Sequence, residues 1–94
     1  MADIRATLSD AAPASDLAPP LQALWWAAKG DWDKAHQIVQ DEDTADAAWV
    51  HAYLHRVEGD LGNASYWYRR AGKPAASDSL DAEWARIVSE LVTR

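Results

Sequence analysis

The dipeptide Gly-Asp occurs twice, as Gly30-Asp31 and Gly59-Asp60, and this recurrence at an offset of 29 residues constrains the fold more than any other feature. Glycine takes the left-handed conformation that ends a helix, and an aspartate directly after it accepts hydrogen bonds from the free amides of the next helix. Each pair therefore predicts a sharp turn between two helices. Before the second turn, Trp49, Ala52, Tyr53 and Arg56 fall three or four apart, as do Val50, Leu54 and Val57. Two adjoining apolar stripes at this period make a helix, whereas a strand needs strict alternation. After the turn, Leu61, Ala64, Tyr68 and Ala71 repeat at the same interval with Trp67 beside them. Arg69 and Arg70 stand in the last turn, where the helix dipole favours cations, and Gly72 and Pro74 end the helix.

Residues 21–40 set over residues 50–69 form an internal repeat. Ala23 falls on Ala52, Ala35 on Ala64, Trp25 on Leu54, Trp32 on Leu61, Ile38 on Trp67 and Val39 on Tyr68. The earlier unit should thus be a helix from near Pro20 to Lys29, since proline is tolerated in a first turn, and a second from Trp32 to about Gln40. At the C-terminal end, residues 79–94 place Leu80, Trp84, Ile87, Val88 and Leu91 on one stripe, with Ser77 or Asp78 as the cap. The expected fold class is all-α: two stacked antiparallel helical hairpins and a C-terminal helix that caps the last hairpin. Residues 20–94 form that domain. Residues 1–19, rich in Ala, Asp, Ser and Pro, are expected as a flexible N-terminal arm, with only Ile4 and Leu8 at helical spacing. Two repeats rarely bury a sufficient core alone, so either the last helix completes it or the chain pairs as a homodimer.

Ala52, Gly59, Leu61, Ala64, Tyr68 and Ala71, with Pro74 after them, resemble the tetratricopeptide repeat (TPR) and its Sel1-like relatives. The earlier copy supplies Ala23, Gly30, Trp32, Ala35 and Val39, but has Glu42 where the family expects a small residue, and its offset is shorter than the usual repeat. The segment from Trp49 to Gly72 is also similar to one in small uncharacterised bacterial proteins, which adds no function. The TPR resemblance implies a concave groove lined by the first helix of each unit, at Trp49, Tyr53 and Arg56. Aromatics beside an arginine suit a peptide carboxylate or an apolar anchor, while core packing explains Trp49 and Tyr53 equally simply.

Composition narrows the function classes. The formal charge of −6 opposes phosphate binding, so no nucleic-acid partner is expected. The absence of cysteine removes disulfides and thiolate chemistry and fits a cytoplasmic location. No stretch has the length and apolarity of a membrane span, nor the pattern of a signal peptide. No nucleophile elbow or Gly-rich phosphate loop is present, so no catalytic residues, enzymatic activity or cofactor are expected.

The remaining polar candidates each have a plain alternative. His51 and His55 lie one helical turn apart, Glu58 follows, and His36 is in the preceding helix. Spacing alone secures no third ligand, so no metal is assigned: semi-buried, hydrogen-bonded histidines, a paired metal site and a ligand-binding role all remain open. The acidic patch of Asp41, Glu42, Asp43 and Asp46 reads as a solvated loop at a helix N-terminus, with Asp43 or Thr44 as the cap. A divalent site there lacks the glycine that a calcium loop requires. Tyr66, Arg69 and Arg70 read as solvated surface, with anion binding second. The function these features favour is a non-catalytic protein-interaction module that binds a protein or peptide through Trp49, Tyr53 and Arg56, with His51 and His55 nearby. The alternative is a small metal- or metabolite-binding protein centred on the His51/His55 face.

Overall fold

A computed structural model describes residues 4–93 of the chain. Five helices follow a short 3-10 turn at Ile4–Thr7: α1 Pro19–Ala28, α2 Trp32–Gln40, α3 Ala45–Val57, α4 Leu61–Ala71 and α5 Leu80–Val92. The described residues contain no strand, and the fold is all-α. None of the helices is long and apolar enough to cross a membrane.

The repeated Gly-Asp pair builds the same turn twice. Gly30 and Gly59 have φ of 86° and 85°. Asp31 and Asp60 accept from the backbone N–H of Lys34 and Asn63. Their own amides reach back to the carbonyls of Trp26 and His55, at 3.0 and 2.9 Å. Helices α1 and α2 thus form one hairpin, α3 and α4 a second, and α2 and α1 both lie against α3.

Helix α3 is the centre of the molecule. Every residue from Ala47 through His55 is buried, because α1, α2, α4 and α5 surround it. That is the physical meaning of its two adjoining stripes: a helix enclosed on all sides buries more than one face. Ala23, Ala35, Ala47, Ala52 and Ala64 sit at or near zero exposure, where small side chains let helix axes approach. Thr44 caps α3 through its hydroxyl, and Ser79, rather than Ser77 or Asp78, caps α5.

Two expectations need correction. The segment expected as a flexible arm is anchored at residues 4–8: Ile4 is buried, the Trp25 indole donates to Thr7 Oγ1 at 3.0 Å, and Lys29 Nζ donates to the Leu8 carbonyl, while most of residues 9–19 are exposed. Arg5 lies 4.9 Å from the Trp84 ring. The part of that arm formed by residues 1–3 lies outside the described residues. A short segment with few apolar residues gains contacts here from two separate helices, α1 and α5, which local spacing does not reveal. Helix α5 packs on α3 of the last hairpin, as a capping helix should, and on α1 of the first as well. Its Trp84 Nε1 donates to the Leu24 carbonyl on α1 at 2.8 Å. Leu61, placed on the core stripe of α4, is 65% exposed because it begins the helix at the hairpin tip.

Candidate functional site

The side chains singled out on α3 divide between two environments. Trp49 and Tyr53 are 5% and 7% exposed. Tyr53 borders a cleft of about 400 Å³ shared with Arg5, Ala27, Asp81 and Trp84. Trp49 borders a smaller one of about 200 Å³ beside Pro74 and Arg86, with Lys73 Nζ 4.3 Å from its ring. Burial, then the charge of Glu83, pushes the Tyr53 phenol up to about 12. Arg56 Nη1 binds Glu83 Oε1 at 2.9 Å, and its other nitrogen donates to the Asp78 carbonyl. Glu83 is fully buried on α5 and accepts from Tyr68 as well. The face that the resemblance reserved for a peptide therefore holds the chain's own α5. Glu83 was missed, yet a signal existed: it lies three residues from Leu80 and four from Ile87, an acid inside an apolar stripe.

The histidines converge. His36 from α2 and His51 and His55 from α3 bring one ring nitrogen each to within 4.8 Å of one another. The Nε2 atoms of His36 and His51 are 3.0 Å apart, a separation that holds a single shared proton. His55 Nδ1 lies 2.6 Å from Glu58 Oε1. A carboxylate only accepts, so that nitrogen carries the hydrogen and the lone pair of neutral His55 is on Nε2. His51 and His55 are 4% and 9% exposed, whereas His36 is half-buried.

Indoles wall the cluster on two sides. Trp32 stacks on His36 with centroids 4.7 Å apart, and Trp67 stacks on His51 at 3.9 Å. Trp32 is pinned by donating Nε1 to the Leu54 carbonyl at 2.6 Å, and Arg70 lies 5.2 Å from the Trp67 ring. Neither tryptophan figured among the candidate site residues. The signal was the internal repeat, which sets Ile38 opposite Trp67 and Trp32 opposite Leu61, so two large rings stand where the copies differ.

Burial works against a charge on two of the three rings. Burial, followed by the neighbouring His36 and His55, pushes His51 down to about 4. His36 is lowered too, by burial first and His55 second, against an opposing pull from Glu58 and Asp33. His51 Nδ1 is the one buried side-chain nitrogen or oxygen without a hydrogen-bond partner among the described residues. A second grouping, His55 with Glu58 and Asp60, is compact as well. Both carboxylate oxygens of Asp60, however, are taken by Asn63 at the start of α4.

Fold and site together define a small all-α protein with a tryptophan-walled imidazole cluster in the seam between two helical hairpins. No family model matches the chain, and the comparisons with curated proteins and with solved structures found no similar chain.

Proposed function

We propose that this chain is a small, non-catalytic binding protein whose ligand sits at the His36, His51 and His55 cluster between α2 and α3. The observation that carries the reading is the convergence of three imidazole nitrogens, one each from His36, His51 and His55, to within 4.8 Å of one another, two of them on buried rings. Imidazoles that face one another with more lone pairs than protons favour an electron-pair acceptor, either a cation or a compact hydrogen-bond donor. Indole walls with a few convergent polar atoms suit a small-ligand seat.

Thermal melts of the purified protein test this with three probe sets: divalent metal chlorides, free amino acids and nucleosides. A ligand at 100 times its Kd adds about 2.7 kcal/mol of stability. At least one set should raise the melting temperature of the wild type and leave the His51→Leu variant unmoved. A flat wild-type response to all three removes the reading.

Protein recognition by a TPR-like module, in the cytoplasmic location that the absence of cysteine fits, is the second reading. Exposed Val57 and Leu61 at the α3–α4 turn and exposed Tyr66 on α4 favour it. Trp49, Tyr53 and Arg56 serve such recognition only when α5 is displaced. Solution mass of the wild type and of Leu61→Glu tests the homodimer form: a dimer that dissociates on substitution supports pairing at this turn, and a monomer in both rejects it.

A further inference from the structure

We infer that His36, His51 and His55 ligate one late first-row transition-metal ion, copper(II), nickel(II) or zinc(II), through three imidazole nitrogens contributed by α2 and α3. This rests on the binding reading above and names its ligand.

The geometry is close to what such an ion requires. Zinc–nitrogen bonds of about 2.0–2.1 Å at tetrahedral angles set ligand nitrogens about 3.3 Å apart. The His36 and His51 nitrogens are 3.0 Å apart, and all three fall within 4.8 Å. Opening the first separation by a few tenths of an ångström and drawing His55 inward completes the set. His36 sits on a half-exposed flank with room to adjust, and that flank is the entry path.

The surroundings point the same way. The carboxylate of Glu58 on His55 Nδ1 is the arrangement that fixes the tautomer of a metal-bound imidazole and raises its basicity. Asp33 and Glu58 add negative charge beside His36, which favours a cation over an anion. An all-nitrogen donor set disfavours magnesium and calcium, which take oxygen ligands, and the absence of cysteine removes the thiolates that select softer ions. The proton shared by His36 and His51 leaves two lone pairs on the three facing nitrogens. Its transfer from Nε2 to Nδ1 of the same ring frees the third, so that one metal ion can engage all three.

Chelator-treated protein titrated with copper, nickel and zinc chlorides provides the test, read by native mass and tryptophan emission. Trp32 and Trp67 stack on two of the three ligands, so copper(II) and nickel(II) should quench emission as one ion binds per chain. His36→Gln and His55→Gln should each weaken binding by at least about tenfold while far-UV circular dichroism is unchanged. His36 is near the surface, so its variant separates ligation from folding. Absence of one-to-one binding for all three ions overturns the inference, and so does binding that survives both substitutions. If an amino acid or nucleoside stabilises the wild type but not His51→Leu while no metal binds, the binding reading stands and the metal does not. If no probe acts, both fall.

Discussion

The Tyr68 hydroxyl donates to Oε2 of Glu83 at 2.5 Å, joining α4 to a carboxylate on α5 that has no solvent exposure. Arg56 of α3 binds the other oxygen at 2.9 Å, so three helices meet on one buried charge. Such a group is tolerated only because both oxygens are satisfied. Glu83→Ala should lower stability by about 3–5 kcal/mol by stranding the guanidinium, and Tyr68→Phe by about 2 kcal/mol. Urea unfolding midpoints measure both. Losses below about 1 kcal/mol for each would remove this network from the account of stability.

His51 makes the fold sensitive to acid. The unfolded chain takes up this proton near 6.5 and the folded chain only near 4, so the unfolded state binds more protons across that interval. Stability is therefore unaffected by this group above about pH 6.5 and falls as the pH drops toward 4, by about 3 kcal/mol in all. Urea unfolding at neutral pH and at about pH 4.5 should give a smaller decline for His51→Leu than for the wild type. Equal declines would assign the acid sensitivity to other groups.

Gly59 holds φ at 85° with open space around its α-carbon, so only backbone strain opposes a side chain there. Gly59→Ala should cost about 1–2 kcal/mol, and Gly59→Asn less, because asparagine tolerates the left-handed region. Thermal unfolding compares the two. An alanine variant as stable as the wild type would show that the turn relaxes to another conformation.

Trp84 anchors α5 by burying its ring and donating to the Leu24 carbonyl. Trp84→Ala should lower stability by about 3–5 kcal/mol, a large share of the roughly 5–15 kcal/mol that folded domains possess. Trp84→Phe should lose about 1 kcal/mol for the hydrogen bond. If α5 merely rests on the surface, chemical unfolding of Trp84→Ala will match that of the wild type.

The hairpins were readable because their signals are local. A glycine that must adopt positive φ and an aspartate that must cap act within a few residues of themselves, and so the two turns match in backbone angle and in hydrogen bonds. The candidate site was legible in part. His51 and His55 share a face by spacing alone, and His36 stood out as a possible companion. That all three nitrogens meet depends on how α2 packs against α3, which no single-helix pattern encodes. Trp49, Tyr53 and Arg56 likewise share a face as expected, but spacing does not say what covers that face.

The amino-acid sequence determined the helices, their turns and the small residues that let them pack, because each depends on backbone conformation and period along one segment. Only the tertiary structure decided that α5 crosses both hairpins and brings Glu83 to Arg56, that Ile4 joins the core, and that Trp32 and Trp67 enclose the imidazoles. These contacts join positions far apart in the chain. They follow from which apolar surfaces remain unburied after the hairpins form, a property of the assembled helices and not of any one of them.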